Sequence, residues 1–276
     1  MLKQRVITAI VLLAILLPAL FYRTPFPFSV LALLMIAAAA WEWGRLNGLR
    51  QAGALGLSFV CVLACGLSWT GGLLERPLPL LWAVAGAAWV LLGGGLLRLG
   101  VAGWPRLPQS LRLAGGVVVL WLAWLAIAQA RVIGIEFLLS VLVLVWVADI
   151  FAYFAGRTFG GRFSKGKLAP SISPGKSWEG VWGGMAGVVV LSLLWVYLGG
   201  QSLYSHLAER HGIPMMLLAV IFLAAMSVVG DLFESLIKRS AGVKDSSGLL
   251  PGHGGVLDRI DALLPTLPLA MMLATF

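Results

Sequence analysis

The sequence predicts an all-α polytopic membrane protein with about nine transmembrane helices, and three observations support this fold class. Hydrophobic residues make up 60% of the 276 residues, and the mean hydropathy is +0.97. Charged residues make up only 11%, whereas soluble domains contain about 25%. Apolar runs of about 15 to 20 residues, close to the length of a spanning helix, recur along the chain. These runs are continuous rather than alternating, which favours helices over a β-barrel.

The predicted spans follow one another with short connections. Lys3 and Arg5 precede the first apolar run, Val6–Phe21, which we interpret as a retained signal anchor because no small-x-small cleavage site follows it. The other predicted spans are Phe26–Ala40, Ala54–Trp69, Leu78–Leu97, Leu113–Ile127, Ile135–Phe154, Val181–Leu198, Ile213–Gly230 and Ala262–Phe276. Two of these are short and one is rich in glycine, so the count of nine is open by one span.

The basic residues predict the orientation of these spans. Of the 20 Lys and Arg residues, 16 fall in alternate loops on one side, including Lys3, Arg5 and Lys165, and 4 fall on the other side. Such an excess marks the cytoplasmic side, which puts the N-terminus inside and the C-terminus outside. The net charge of +9 does not indicate nucleic-acid binding, because the bases occupy short loops rather than one contiguous face.

The polar residues divide the chain into two parts. Residues 1–130 form a series of hydrophobic spans and are predicted to be a scaffold. Residues 131–276 are predicted to be a catalytic region with cytoplasmic loops at 157–180 and 231–261. The second loop contains five acids, four bases and one histidine in an otherwise apolar chain. We therefore expect the chemistry of this protein to take place there.

Carboxylates stand at both ends of the second loop. Asp231 and Glu234 lie one helical turn apart where an apolar run ends. Asp258 and Asp261 have the same spacing where the next run begins, so both can share a helix face. The glycines of Pro251–Gly255 allow anionic oxygens to approach the backbone closely. Carboxylates from two helix ends suit Mg²⁺ together with a phosphate substrate. The alternative is a solvated basic loop whose acids pair with its bases.

Several other polar residues have two interpretations each. Loop 157–180 carries five bases among glycines, which is typical both of a phosphate clamp and of an anchor to lipid headgroups. Asp149 is predicted to lie inside a span, where an acid is either functional or part of a structural ion pair. His253 lies among glycines and either shapes a turn or contacts a phosphate or leaving group. Glu42 is near a predicted helix end, where a carboxylate is tolerated, and receives no functional assignment.

The second loop also carries a resemblance to a known family. Its run is Ser235-x-Ile237-Lys238-Arg239-x4-Lys244-Asp245-x-Ser247-x2-Leu250-Pro251-x-His253-Gly254-Gly255-Val256-x-Asp258-Arg259-Ile260-Asp261. This run resembles, position by position, the signature of the phosphatidate cytidylyltransferase (CDP-diglyceride synthetase) family. Asp149–Gly156 and the SPGKSWEG segment, Ser173–Gly180, resemble that family as well. Residues 1 to about 130 are similar to it only as a series of hydrophobic spans.

The resemblance implies a reaction, a location and partners. It implies that phosphatidate and CTP react to give CDP-diacylglycerol and pyrophosphate in the bacterial cytoplasmic (inner) membrane, with the active site on the cytoplasmic side. It further implies a homodimer, whereas the absence of a nucleic-acid partner is expected from the charge distribution described above. Because both reactants are polyanions, we expect Mg²⁺ as the cofactor, and a second cation is left open. The alternatives are a CTP-dependent lipid kinase or other phospholipid phosphotransferase, and a secondary transporter of a phosphorylated solute.

The expected site residues combine these patterns with the resemblance. The expected metal ligands are Asp149, Asp231, Asp258 and Asp261. The expected catalytic residues are Asp231, Lys244, Asp245, His253, Asp258 and Asp261. The expected substrate-binding residues are Lys167, Lys176, Ser177, Glu179, Lys238, Arg239, Gly254, Gly255 and Arg259. Glu179 is included because it lies in the segment that resembles the family.

Overall fold

The computed structural model describes residues 2–164 and 166–275, with side chains described from residue 6 onward. Lys165, the side chains of Lys3 and Arg5, and Phe276 at the end of the last predicted span lie outside this description. The described chain is mainly helical. Its α-helices are α1 (Leu2–Phe21), α2 (Phe26–Leu46), α3 (Gln51–Thr70), α4 (Pro79–Ala88), α5 (Gly94–Gly103), α6 (Gln109–Ile133), α7 (Ile135–Phe159), α8 (Trp178–Leu198), α9 (Leu203–His211), α10 (Ile213–Ser240), α11 (Leu257–Ile260) and α12 (Leu263–Thr275).

Seven helical segments of the described chain are long and apolar enough to cross a membrane. They are Phe26–Leu46, Gln51–Thr70, Pro79–Arg106, Gln109–Ile133, Ile135–Phe159, Trp178–Leu198 and Ile213–Ser240. This confirms a helical protein with multiple apolar spans. The two remaining predicted spans correspond to α1, whose apolar part is Val6–Phe21, and to α12, which has 13 residues. The total of nine and the orientation of the termini stay predictions.

The glycine-rich span Pro79–Arg106 is not a regular helix. A π-helical turn, Trp89–Gly93, joins α4 to α5, and a 3-10 turn, Trp104–Arg106, follows α5. Inside α5, Gly100 has a φ of +67°, a conformation that favours glycine because a Cβ would be strained there. Such irregular turns are a known cause of helix bending.

Both predicted loops contain more regular structure than the sequence indicated. Helix α10 continues to Ser240 instead of ending at Gly230, because Leu232, Phe233 and Leu236 bury their side chains. Loop 157–180 contains an antiparallel hairpin of β1 (Lys167–Ala169) and β2 (Ser173–Ser177), with Lys167 opposite Ser177. The prediction of a helical chain did not foresee this small β element, which leaves the fold predominantly helical.

The chain folds into two compact units, of which the first contains Met1–Pro77, Val101–Ile135 and Ile237–Asp261. Helices α2, α3 and α6 pack against one another in this unit. Trp43 of α2 is buried, and its indole Nε1 donates a 3.0 Å hydrogen bond to the carbonyl of Arg112. The ring lies over Gly116 of α6, where a Cβ atom would come within 2.0 Å of the same nitrogen.

Gly116→Ala is expected to lower thermal stability, because the new methyl group would displace the buried Trp43 ring and its hydrogen bond. Overpacking of this kind costs about 1–3 kcal/mol. The matched control is Gly115→Ala, since a Cβ at Gly115 meets nothing within 4 Å and alanine favours the helix. Thermal unfolding of the three proteins in detergent tests this expectation, and equal melting temperatures for the two variants would contradict it.

The second compact unit contains Leu78–Gly100, Glu136–Leu236 and Ala262–Phe276. Helices α7 and α8 approach each other closely through small residues. A Cβ at Gly184 would lie 2.8 Å from the Ala148 carbonyl, and one at Gly180 would lie 3.0 Å from the Ala152 carbonyl. Small residues permit such close contact between apolar helices. The contact holds Ser177, the residue that precedes α8, beside α7, where Gly156 lies next to its hydroxyl.

Candidate active site

A cavity of about 390 Å³ lies in the second unit between α7, β2, α8 and α10. Its polar lining consists of Asp149, Tyr153, Arg157, Lys176, Ser177 and Asp231. Four of these, Arg157, Lys176, Ser177 and Asp231, were placed in two different loops by the sequence analysis. The structure therefore brings the end of the segment between α7 and α8 and an acid within α10 into one polar cavity.

An ion pair spans this cavity. The Lys176 ammonium lies 2.5 Å from Asp231 Oδ2, and the two side chains are 25% and 32% exposed. Asp231 Oδ1 accepts only a long hydrogen bond, 3.3 Å, from Ser235. The Asp149 side chain is exposed to the cavity and interacts electrostatically with both Asp231 and Lys176. Two accessible carboxylates and one ammonium thus share this space.

The ends of the neighbouring helices position these groups. Ser177 caps the N-terminus of α8 by accepting a 3.2 Å hydrogen bond from the amide of Gly180, which is the favoured capping arrangement. Because Lys176 directly precedes this cap, the start of α8 holds its backbone in place. On α7, Arg157 donates a 2.8 Å hydrogen bond to the Tyr153 hydroxyl. Neither Tyr153 nor Arg157 was predicted as a site residue, although both follow Asp149 at helical spacing.

A second hollow of about 430 Å³ shares Gly156, Gly175, Lys176 and Ser177 with the first cavity. It is lined by the β-hairpin and by the glycine-rich segment after α7, and it includes the exposed Lys167. Backbone amides are accessible in such glycine-rich walls and can bind anionic oxygens. The hollow therefore combines two lysines with an anion-compatible backbone.

Glu179 holds the segment after α7 in place. The residue is 3% exposed, and its Oε1 accepts hydrogen bonds from the Phe163 amide (3.0 Å), the Ser164 amide (2.8 Å) and the Ser164 hydroxyl (2.9 Å). A carboxylate engaged in this way stabilises a loop next to the hollow. The predicted direct contact of Glu179 with a substrate stays a prediction.

In the first unit, Asp258 organises the loop between α10 and α11, which we call the signature loop (Ala241–Val256). Its Oδ1 accepts from Lys238 at 2.6 Å, and the two side chains are 6% and 11% exposed. Its Oδ2 accepts from the amide (2.9 Å) and hydroxyl (2.9 Å) of Ser246 and from the amide of Gly255 (2.8 Å). Both oxygens of the Asp258 carboxylate are therefore already engaged, Oδ1 by Lys238 and Oδ2 by the signature loop.

Glu42 is the residue that the sequence analysis missed. It is 0% exposed in α2, and its carboxylate accepts four hydrogen bonds from the signature loop and the start of α11. The donors are the Ser246 hydroxyl (3.1 Å), the Ser247 hydroxyl (2.5 Å), the Val256 amide (2.9 Å) and the Leu257 amide (2.7 Å). The available signal was an acid within an apolar helix, since such an acid needs partners when it is buried.

The turn of the signature loop is closed by backbone contacts. The amide of Leu250 donates to the Gly254 carbonyl at 2.8 Å, and Gly254 has a φ of +81°. The His253 carbonyl accepts from the Arg259 guanidinium, at 2.7 Å from Nη2 and 3.0 Å from Nε. These contacts give His253 and Arg259 a role in shaping the turn. Whether they also contact substrate stays a prediction.

The other predicted residues in and around the signature loop are exposed or half-buried. Lys244 and Asp245 are exposed, and Arg239 is exposed with Nη1 donating to the Val243 carbonyl at 3.2 Å. Asp261 directly follows α11 and is half-buried. The predicted catalytic roles of Lys244, Asp245 and Asp261 therefore remain expectations.

The carboxylates of the protein differ in how well they suit a metal ion. Within residues 2–164 and 166–275, no group of three or more His, Cys, Asp or Glu side chains is arranged to hold a metal ion. Asp149 and Asp231 fit a cation, because they are accessible oxygen donors in one cavity of the type that Mg²⁺ prefers. Asp258 fits less well, because its oxygens already accept from four donors.

Comparison with known proteins relates this arrangement to a family. A family model described as "Cytidylyltransferase family" matches residues 3–276. A phosphatidate cytidylyltransferase of Haemophilus influenzae is 38% identical over 293 residues, covering 97% of this chain and 96% of the relative. One of Pseudomonas aeruginosa is 39% identical over 275 residues, covering 97% and 95%. One of Bacillus subtilis is 39% identical over 146 residues, covering 52% and 49%. Since the match extends over nearly the whole chain, the protein belongs to the cytidylyltransferase family.

Proposed function

We propose that the protein is an integral membrane phosphatidate cytidylyltransferase that converts CTP and phosphatidate into CDP-diacylglycerol and pyrophosphate. The observation that carries this function is the cavity in which Asp149 and Asp231 meet Lys176, in a chain that matches relatives of that name over most of their length. Accessible acids and a base together suit a substrate that is itself anionic and needs a cation.

The reaction defines what the site must do. An oxygen of the phosphatidate phosphate forms a bond to the α-phosphorus of CTP, and the bond from that phosphorus to the β-phosphate bridging oxygen breaks. Pyrophosphate leaves with the electron pair. Because both reactants are polyanions, the main barrier is charge repulsion, and positioning with electrostatic stabilisation supplies most of the catalysis. A strong general base is not needed, since a phosphate monoester is already an adequate nucleophile.

The basic residues that line the cavity and the second hollow would bind the phosphates of the substrates. Lys176 lies in both hollows and Lys167 in one of them, beside glycine-rich backbone. Lys176 is paired with Asp231 at 2.5 Å, and such a partly exposed pair is worth only about 0–1 kcal/mol. Lys176 can therefore exchange Asp231 for a substrate phosphate at little cost. Arg157, on the cavity wall, adds a guanidinium suited to planar contact with phosphate oxygens.

Asp231 and Asp149 would hold the divalent cation. When bound, Mg²⁺ would neutralise phosphate charge and polarise the reacting phosphoryl group. Direct ligation by Asp258 and Asp261 stays a prediction, as does a second cation. Lys238 lies 2.6 Å from Asp258 Oδ1, so that oxygen already has a cationic partner. In this arrangement Asp258 acts on the signature loop rather than on the reactants.

The finer features of the location are part of the same hypothesis. The distribution of Lys and Arg residues supports a cytoplasmic active site with nine spans, the N-terminus inside and the C-terminus outside. Bacterial relatives of the same name support the bacterial cytoplasmic (inner) membrane. A homodimer follows from the family resemblance alone.

Transfer assays with CTP labelled at either the α- or the γ-phosphate test the proposed cytidylyl transfer directly. Purified protein in detergent micelles with phosphatidate is expected to transfer label from α-³²P CTP into the organic phase in the presence of Mg²⁺, and EDTA should prevent the transfer. Label from γ-³²P CTP is expected to stay in the aqueous phase as pyrophosphate. Transfer of γ-label to lipid would indicate a lipid kinase instead. No lipid label from either CTP would contradict the proposed reaction and leave the transporter alternative.

A further inference from the structure

Glu42 lies far from the signature loop in sequence but is its most buried acidic contact. We propose that Glu42 is a positioning residue, which fixes the signature loop and, through the Ser246 hydroxyl, orients the carboxylate of Asp258. The kinetic consequence of this role rests on the proposed function, whereas its structural consequence does not. The contacts that carry it all lie within the first compact unit.

The hydrogen bonds of Glu42 require a carboxylate. Oε1 accepts from the Val256 amide and the Ser247 hydroxyl, and Oε2 accepts from the Leu257 amide and the Ser246 hydroxyl. A hydroxyl can donate or accept, but a backbone N–H can only donate. Each oxygen therefore faces one donor that cannot reverse its role. An amide side chain would put an NH₂ group against a buried N–H in either orientation.

The Ser246 hydroxyl connects Glu42 to Asp258. Its oxygen lies 3.1 Å from Glu42 Oε2 and 2.9 Å from Asp258 Oδ2. Because a hydroxyl carries one hydrogen, the two carboxylates share this donor. The Ser246 amide also donates to Asp258, and Asp258 in turn accepts from Lys238. A continuous chain of contacts thus runs from Glu42 through Ser246 and Asp258 to Lys238, which we call the Glu42 network.

The space around Gly255 shows how tightly the Glu42 network is packed. A Cβ atom at Gly255 would lie 2.1 Å from the Ser246 hydroxyl oxygen and 2.3 Å from Glu42 Oε1. Any side chain there would separate the two residues. Gly255 was predicted to allow a ligand to approach the backbone, and its position provides a second physical reason for glycine.

The helix that carries Glu42 makes it an effective anchor. Helix α2 packs against α3 and α6, so its position is set by the helical core rather than by the loop. The signature loop has little regular structure of its own, and tethering it to a packed helix reduces the number of conformations that it can adopt. Groups held in advance in the productive geometry lose less entropy during reaction.

Glu42→Gln is the principal test, with hydrogen–deuterium exchange and steady-state kinetics measured on the full-length protein in detergent micelles. We expect faster amide exchange in peptides covering residues 244–257 and a decrease of about 10- to 100-fold in kcat/KM, the size of effect found for side chains that hold another functional side chain in position. The matched control is Glu136→Gln, because Glu136 accepts from the Trp195 indole and the Gln201 amide in the second unit. It should leave both readouts near the wild-type values.

A double-mutant cycle separates positioning from a general loss of stability. If Glu42 acts through Ser246, the Glu42→Gln/Ser246→Ala double variant should lose no more activity than the more affected single variant. Independent structural effects would multiply instead. Should Glu42→Gln fail to fold, Ser246→Ala and Gly255→Ala decide the question, since each breaks the network while keeping Glu42 and should give the same exchange pattern.

Two results would overturn the role of Glu42. These are unchanged exchange across residues 244–257 in the network variants, and multiplicative losses in the double-mutant cycle. The exchange experiment contains no substrate, so it decides the structural claim even if the wild-type protein transfers no cytidylyl group. The absence of cytidylyl transfer by the wild-type protein would overturn the proposed reaction but not the anchoring of the signature loop by Glu42.

Discussion

Asp231→Asn is expected to lower turnover about 1000-fold while leaving the protein folded. On the proposed mechanism, this change removes a carboxylate that would hold the cation and that faces Lys176. Its loss would cost several kcal/mol of transition-state stabilisation, and about 4 kcal/mol corresponds to about 1000-fold in rate. The fold should survive because the side chain is 32% exposed and its ion pair with Lys176 is partly solvated. Transfer of α-³²P label to lipid measures the loss, and thermal unfolding measures stability.

The control for Asp231→Asn is Glu209→Gln. Glu209 is an exposed acid on α9 outside both hollows, so the same change of charge should leave turnover close to the wild-type value. A Mg²⁺ titration adds a second readout, because a weakened cation site should need more Mg²⁺ for half-maximal activity. Near-normal turnover in Asp231→Asn would remove the basis for the cavity as the active site.

Asp258→Asn is expected to abolish measurable turnover. Asparagine keeps one acceptor oxygen and replaces the other with an NH₂ group, which must then face either Lys238 or the amides of Ser246 and Gly255. Leaving such a buried donor without an acceptor costs about 1–3 kcal/mol, and the signature loop loses its central contact. The same assay and an exchange measurement over residues 244–257 test this outcome. Full activity would contradict both the loop role and the predicted metal role of Asp258.

Lys238→Met tests how much the ion pair between Lys238 and Asp258 contributes to stability. It should destabilise the protein by about 3 kcal/mol, because it leaves a largely buried carboxylate without its counter-charge; the Asp258 side chain is only 6% exposed. Adding Asp258→Asn to Lys238→Met should restore much of the stability but none of the turnover. A double variant as unstable as Lys238→Met alone would mean that the ion pair is not the source of the effect.

Sequence patterns predicted which polar residues line the cavity more accurately than they predicted the contacts between those residues. Asp149 was singled out as an acid inside an apolar run, and it does line the cavity with Asp231. Lys176 was expected in a loop, and it lies at the end of a strand where it pairs with Asp231. The expected meeting of Asp231, Asp258 and Asp261 in one metal site remains a prediction, whereas the contacts of Asp258 with Lys238 and Ser246 were not foreseen.

Local patterns could indicate that Glu42 needs polar partners but not which residues they are. The carboxylate and its partners Ser246 and Leu257 are more than 200 residues apart, and no periodicity relates them. The reason for glycine at position 255 was also hidden from the sequence. Only the structure shows that Gly255 makes room for Glu42 and Ser246. Both facts depend on how α2 packs in the first unit.

By itself, the sequence determined that this is a helical membrane protein with multiple spans and with its charges concentrated near residues 149–180 and 231–261. The physical reason is local: in lipid each helix must satisfy its own backbone, so length and hydropathy are visible along the chain. Only the tertiary structure decided which carboxylate meets which base, where α10 ends, and that Glu42 holds the signature loop. Those outcomes depend on contacts between distant segments, because buried polar groups take whichever donors the packed helices bring to them.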